Sequence, residues 1–234
     1  MLRALTTVAA ALAASTALSQ DAALLEAFSG QWYSFEPRMG AAQQQTCALI
    51  LSTQPAPQGG LQAAAQNCAS PLDQVTLWGI IDGKIRLVGA GGQIAALGGH
   101  QQRMSGEMGP AAAPIVLERA QGDANAQALS KAIGTYRCLF EGYSNTCAGA
   151  DQVQMAEAPA QIVTLVDLNM REQPRADAPV QKVLPRQTIA PVDTCLLTAD
   201  GPWCRALFEG ESAWVARNAL RQDTWPVLTY TFVQ

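Results

Sequence analysis

Short runs of alternating apolar and polar residues fill the chain from residue 29 to about residue 120. In residues 46–52, Cys47, Leu49 and Leu51 share one face of a predicted strand, because successive side chains of a strand point to opposite faces. A strand containing Trp32 precedes it, and the same pattern predicts strands at 61–67, 75–81, 84–88, 94–97, 101–108 and 115–119. Seven or eight closely spaced strands with turns between them favour an up-and-down antiparallel barrel.

A polar connector and a second strand-rich stretch follow. Residues 121–160 connect the two halves. Residues 122–132 are polar and rich in alanine, one helix is predicted at 125–133, and a hairpin is predicted within 138–147. Short apolar stretches resume at Ile162. Residues 225–233 alternate as one further predicted strand.

The first nineteen residues have the pattern of a secretory signal peptide. A short positive start containing Arg3 precedes an apolar run at 4–14, and small residues predict cleavage between Ser19 and Gln20. A retained membrane anchor is the alternative, but an apolar run of about eleven residues is shorter than the roughly twenty that span a bilayer. We therefore expect a periplasmic or secreted chain with no membrane span after processing.

Six cysteines fall into neighbouring couples along the chain. In an exported protein, such couples predict three disulfides rather than metal ligands. A zinc site would need closely spaced soft ligands, whereas the chain has no CxxC pair and its single histidine is His100. The predicted pairs are Cys47 with Cys68, Cys138 with Cys147, and Cys195 with Cys204.

The charge and the scarcity of catalytic groups argue against two classes of function, nucleic-acid binding and catalysis. The formal net charge of −4 becomes −5 after processing, when 14 basic residues face 19 acidic ones, and no basic patch indicates nucleic acid. Hydrolytic chemistry needs a constellation of His, Cys, Ser or carboxylate groups, but the carboxylates here are scattered singly and His100 lies in a glycine-rich turn. Residues 89–92 lack the helix start and the Lys-Ser/Thr pair of a phosphate-binding loop. We expect no enzyme, no metal and no cofactor.

Five features of the first half occur in a specific order: Phe28 to Trp32, the couple Cys47 and Cys68, Val75 to Ile81, Gly83 to Leu87, and Ile115 to Arg119. Together they resemble the bacterial alkaline proteinase inhibitor family, the periplasmic inhibitors of serralysin-type zinc proteases. The resemblance covers about residues 20–120 and departs from the family pattern at 91–108, where glycine and alanine are abundant. It implies an eight-stranded barrel that presents its N-terminal tail to the protease cleft.

We therefore hypothesise that the tail enters the cleft of a secreted zinc metalloprotease. A catalytic zinc keeps one coordination position open, and the terminal amine or first carbonyl of a narrow peptide can fill it. Cyclisation of the N-terminal glutamine would leave only the carbonyl as ligand. The alternative is a frayed terminus without such a role, with one helical turn at about 24–28. The tail residues concerned are Gln20, Asp21, Ala22, Ala23 and Leu24.

Another ordered set of features lies in the second half: Leu168 to Pro174, Val183 to Pro185, Gly201 to Leu207, Glu209 to Val215, and Asn218 to Leu220. It resembles the bacterial Src-homology-3 (SH3) domain over about residues 162–222, with a departure at 186–187. The resemblance implies an SH3-like barrel with an aromatic-lined groove, for which Trp203, Trp214 and Tyr230 are the candidates. Peptidoglycan or a cell-wall peptide is the candidate ligand. The alternative places Trp214 in the core and leaves Trp203 half-buried.

The sequence thus predicts an all-β protein with an N-terminal eight-stranded antiparallel barrel, a disulfide-closed connector and a C-terminal SH3-like barrel. Expected boundaries are a signal peptide at 1–19, the barrel with its tail at 20–120, the connector at 121–160 and the SH3-like domain at 161–234. The expected function is periplasmic inhibition of a secreted serralysin-type zinc metalloprotease through the tail. The alternative is a non-inhibitory cell-envelope binding module that recognises peptidoglycan or a peptide through the SH3-like domain.

Overall fold

The structure, a computed structural model, describes residues 22–42 and 44–233. The predicted signal peptide, its cleavage site and the tail residues Gln20 and Asp21 lie outside the described residues. Strands account for 50% of the described residues and helices for 14%, so this part of the chain is mostly β rather than purely β. None of the described helices is long and apolar enough to cross a bilayer.

The first half folds into a closed eight-stranded antiparallel barrel, which confirms that prediction. A helix at residues 22–28, α1, precedes it. The barrel strands are β1 (Gly30–Ser34), β2 (Cys47–Pro55), β3 (Leu61–Gln66), β4 (Leu77–Ile81), β5 (Lys84–Gly89), β6 (Gly92–His100), β7 (Arg103–Met108) and β8 (Ala113–Glu118). Each strand pairs with the next along the chain, and β8 returns to β1 through Tyr33 and Glu118.

The barrel interior is filled by every second side chain along each strand, because alternate residues point to opposite faces of the sheet. Trp32, Trp78, Leu87 and Leu117 are all fully buried, as expected when period-2 apolar residues face a closed interior. The glycine-rich stretch at 91–108 supplies β6 and β7. A side chain at Gly106 would collide with the backbone of β6, so glycine is what permits the close approach of these two strands.

The connector begins with α2 (Ala124–Tyr136), which is longer than the predicted helix at 125–133. The Asp123 carboxylate caps it by accepting a hydrogen bond from the Ala126 N–H at 2.9 Å. The disulfide-closed hairpin follows and contains the short strand β9 (Phe140–Glu141); α3 (Ala150–Val153) leads into the second half.

The second half contains β10 (Ala160–Thr164), β11 (Leu168–Arg171), β12 (Val180–Leu184), β13 (Ile189–Thr198), β14 (Gly201–Phe208), β15 (Glu211–Ala216), β16 (Asn218–Arg221), β17 (Trp225–Leu228) and β18 (Tyr230–Phe232). Seven of them form one sheet in the order β12-β11-β15-β14-β13-β10-β18. The other two join β9 in a three-stranded sheet ordered β16-β17-β9. One face of the larger sheet encloses a core that includes Ile162, Met170, Leu184, Val215 and Tyr230.

Residues 225–233 form two strands in different sheets, so the prediction of a single strand was wrong. The break is at Thr229, whose N–H donates to the Arg217 carbonyl at 2.9 Å instead of joining a strand ladder. Its hydroxyl donates to the Ala216 carbonyl. These two bonds tie Thr229 to the end of β15, and the chain passes there from the three-stranded sheet to the seven-stranded one.

The three predicted disulfides are confirmed. One joins β2 to the segment after β3, one closes the connector hairpin, and one joins β13 to β14. Every cysteine of the described residues is paired. Three disulfides fit an extracellular or periplasmic protein, because reducing compartments keep thiols free.

Candidate functional site

The N-terminal segment lies at one end of the barrel and is anchored by the second half of α1. Phe28 belongs to the barrel core, and the partly buried Leu25 and Ala27 pack against that core. The first turn of the helix, in contrast, is exposed. Leu24, a large apolar residue, keeps 42% of its surface accessible. The segment therefore has a fixed base and an exposed N-terminal end.

Arg119, immediately after β8, holds that base in place. Its guanidinium donates to the carbonyls of Ser29 at 2.8 Å, Gln31 at 2.9 Å and Ala27 at 3.3 Å. The same group lies 3.9 Å from the centre of the Trp32 ring, within the range of a cation–π interaction. Partial burial lowers the pKa of Arg119 from its ordinary value. One side chain just after the last barrel strand thus holds the entry into the first strand in place.

The local sequence accommodates this clamp at Gly30. Its φ of +96° is in a region that residues with side chains rarely adopt. A β-carbon there would lie 3.1 Å from the Arg119 Nη1. The indole N–H of Trp32 donates to the Phe28 carbonyl at 2.8 Å, which fixes the turn between α1 and β1. Gly30 and Trp32 therefore shape the base of the tail.

The structure places the predicted tail residues in two categories. Ala22, Ala23 and Leu24 form the exposed first turn of α1, and Gln20 and Asp21 lie outside the described residues. The predicted helical turn at 24–28 is present as part of this longer helix. Insertion into a protease cleft stays a prediction.

The three aromatic residues of the predicted peptide groove do not line one surface. Trp203 and Trp214 are 2% and 7% exposed and form a cluster with Leu196 and the barrel residue Val116. Tyr230 is 0% exposed and lies in the separate core of the second half. The sheet face that carries both tryptophans is covered by the barrel. The groove therefore stays a prediction, and its proposed residues are interior in this structure.

A buried ionic cluster joins the two halves, and sequence analysis missed it. Arg103 of β7 is fully buried and contacts the carboxylates of Glu118 at 2.6 Å and Asp200 at 2.7 Å. Asp123 lies 3.6 Å from the Arg103 Nε, and the Pro174 carbonyl accepts a further hydrogen bond at 3.2 Å. Arg103 and Glu118 are direct cross-strand partners, so opposite charges on a predicted hairpin were the available signal.

Asp200 is the centre of this cluster on the side of the second half. Its carboxylate accepts hydrogen bonds from Thr198 at 2.5 Å, from the Asn125 amide at 2.9 Å and from the Trp203 indole at 3.1 Å, besides those from Arg103. Barrel, connector and second sheet thus converge on one side chain.

The cluster contains one cation, Arg103, and three carboxylates, and the pKa of one of these carboxylates, Glu118, is raised. Burial raises it from the ordinary value to about 7, against the lowering effects of Arg103 and of the hydrogen bond from the Ala199 N–H. The three carboxylates outweigh burial at Arg103 and raise its pKa, so the guanidinium stays charged. The cluster is therefore expected to take up a proton near neutral pH.

Two cavities accompany these features. One of about 410 Å³ lies in the second half beside the connector hairpin, with Tyr143, Asn169, Arg171 and Trp203 in its walls. The other, of about 330 Å³, lies where the barrel meets the second half. Among residues 22–42 and 44–233, no group of three or more His, Cys, Asp or Glu side chains is placed to hold a metal ion.

Comparison with known proteins gives no identity: the chain matches no protein-family model, and no curated protein matches it.

Proposed function

We propose that this protein inhibits a secreted serralysin-type zinc metalloprotease by inserting the residues that precede its barrel into the protease cleft. The observation that supports this most directly is the contrast between the two ends of α1. Phe28 is buried and Arg119 fixes the following carbonyls, whereas Ala22 to Leu24 are exposed. Such a segment is held firmly at its base and is accessible at its tip.

This arrangement suits inhibition for an energetic reason. A flexible peptide loses conformational freedom when it enters a cleft, and a rigid platform reduces that loss. The barrel supplies the platform, because its sheet is closed and the β2 end is bridged by Cys47 and Cys68. A terminal amine or first carbonyl at the tip would then approach the open position of the protease zinc.

The helical first turn is compatible with insertion. A cleft takes an extended chain, so Ala22 to Leu24 must leave the helix on binding. Isolated helices shorter than about twelve residues are marginal in water, and all three of these residues are exposed. Leu25 to Phe28 can remain packed on the barrel while the tip extends.

The test is a titration of a serralysin-type protease with two forms of the chain. One begins at Gln20, and the other begins at Leu25, which removes the proposed tail but keeps Phe28 in the core. The longer form should inhibit and the shorter form should not, with equal thermal unfolding of both. Equal inhibition by the two forms would exclude the tail mechanism. Mass spectrometry of the secreted protein establishes the natural N-terminus.

We further propose, as the second candidate function, that the C-terminal half is an SH3-like cell-envelope binding domain. The consecutive hairpins β13-β14-β15 and the sequence pattern at 168–220 support the fold. The cavity of about 410 Å³, which has Trp203 and Asn169 in its walls, supports a binding role. A peptidoglycan fragment or cell-wall peptide is the proposed ligand.

Sedimentation with purified peptidoglycan tests this second candidate. The chain should pellet with the polymer, and Asn169→Ala should reduce the pelleted fraction. Gln161→Ala, an exposed strand position outside the cavity, is the matched control and should pellet like the unmodified chain. If the unmodified chain stays in the supernatant, the second half does not bind peptidoglycan.

A further inference from the structure

The cavity of about 330 Å³ at the junction has walls from both halves of the protein. The outer faces of β6, β7 and β8 form one wall, and the other comes from the β11–β12 connection together with β14 and β15. Pockets of this size, at the meeting of two structural units, are a common location for ligands. It is separate from the N-terminal tail, so what it binds goes beyond the proposed inhibition.

Two polar groups in this cavity have no hydrogen-bond partner among the described residues. Ser105 is 2% exposed and its hydroxyl is unpaired, and the buried side-chain oxygen of Gln173 is unpaired as well. They come from opposite walls. The Gln173 carboxamide lies over Gly98, where a β-carbon would be 3.7 Å from its nitrogen. Buried polar groups in folded proteins nearly always have partners, so two such groups in one cavity indicate a ligand that supplies them.

The charged residues in the cavity wall indicate the charge of the ligand. The Arg205 guanidinium is occupied by Asp193, to which it donates three hydrogen bonds of 2.9–3.2 Å. Glu107 and Glu172 are both exposed in the cavity wall, and neither they nor Lys84 form a salt bridge in the described part of the chain. Glu107 lies near enough to Arg205 to contribute to the raised pKa of that guanidinium. With Asp193 counted beside its partner Arg205, three carboxylates face two cations, Lys84 and Arg205, and this excess of negative charge favours a cationic ligand.

The neutral part of the cavity indicates which kind of cation. Trp214 and Pro114 supply apolar surface in its walls. A hydroxyl and a carboxamide can each donate and accept, which matches the N–H and C=O of a peptide unit. We propose that the junction cavity binds a short basic peptide, whose backbone amide pairs with Ser105 and Gln173 and whose positive group lies beside Glu107 and Glu172.

The test is an NMR titration of the ¹⁵N-labelled mature chain with three small probes. N-acetyl-lysine amide carries a peptide unit and a positive charge, N-acetyl-glutamine amide is neutral, and N-acetyl-glutamate amide is negative. Saturable shifts at Gly98, Ser105, Gly106 and Gln173 are expected with the lysine probe at millimolar concentration. The glutamine probe should bind more weakly and the glutamate probe most weakly.

Variants connect these shifts to the proposed contacts. Ser105→Ala should weaken the affinity of the chain for the lysine probe by about fivefold, as loss of one hydrogen bond predicts. Gln173→Met tests the opposite wall, in case the buried serine change alters the fold. Ser130→Ala, which lines a different surface pocket, is the matched control and should bind normally. No shifts at the cavity, or equal response to all three probes, would overturn the proposal.

Discussion

Arg103 on the outer face of the barrel and Asp200 in the turn between β13 and β14 form a buried ion pair across the two halves. Their side chains are 0% and 1% exposed, and the guanidinium donates to both carboxylate oxygens, at 2.7 and 3.3 Å. Another polar contact also joins the two halves: the Arg38 side chain donates a hydrogen bond to the Cys195 carbonyl at 2.9 Å. The halves are therefore joined by specific polar contacts as well as by the apolar cluster around Trp203.

Removing one member of this ion pair should destabilise the folded protein. Asp200→Ala leaves Arg103 buried without its main partner, and we expect the free energy of unfolding to fall by about 3–5 kcal/mol. Asp193→Ala is the control, because it removes a carboxylate that is 57% exposed and should cost less than about 1 kcal/mol. Urea unfolding of the disulfide-bonded chain measures both. Similar small losses in the two variants would contradict a structural role for the cluster.

Stability should decrease as the pH rises towards neutrality because of Glu118. Its pKa of about 7 in the folded protein exceeds the ordinary value of a glutamate. Between about pH 5 and 7 the folded state therefore binds more protons than the unfolded state, and the free energy of unfolding declines by up to about 3 kcal/mol.

The measurement for Glu118 is a series of urea unfolding curves from pH 5 to 8. Glu118→Gln cannot titrate, so most of the slope should disappear whatever the absolute stability of the variant. Glu211→Gln, at an exposed position of β15, should keep the slope. An unchanged slope in Glu118→Gln would show that another group is responsible.

Arg119 should control the order of the N-terminal segment. In Arg119→Met the hydrogen bonds to the carbonyls of residues 27, 29 and 31 are lost, so amide exchange at residues 25–32 should accelerate. Inhibition of the protease should weaken in parallel if the base of the tail must be rigid. Arg86→Met is the control, since the Arg86 side chain donates to Gln93 away from this end. Unchanged exchange in the Arg119 variant would refute the clamp.

Gly30 should tolerate a side chain poorly. Gly30→Ala introduces a methyl group at a positive φ and beside Arg119, and we expect a loss of about 1–3 kcal/mol of unfolding free energy. Gly79→Ala offers a matched comparison in β4, because no heavy atom would lie within 4 Å of the new carbon there. Thermal and urea unfolding compare the two, and equal stability of both variants would contradict strain at Gly30.

The amino-acid sequence alone was sufficient for the barrel and the disulfides. Alternation such as Cys47, Leu49 and Leu51 depends only on neighbouring residues, and one buried face per strand then leaves few ways to enclose a core. Pairing of the cysteines followed from nearness along the chain, as in Cys195 and Cys204, which are direct cross-strand partners.

Only the tertiary structure decided which surfaces meet. Nothing local in the sequence indicates that Asp200 reaches Arg103, 97 residues earlier, or that Trp203 and Trp214 pack with Val116 of the barrel. Thr229 interrupts an alternating stretch because carbonyls twelve and thirteen residues earlier accept its hydrogen bonds. The alternation of a strand identifies which side chains point the same way, whereas the partner of that face is determined by contacts between residues far apart in the chain.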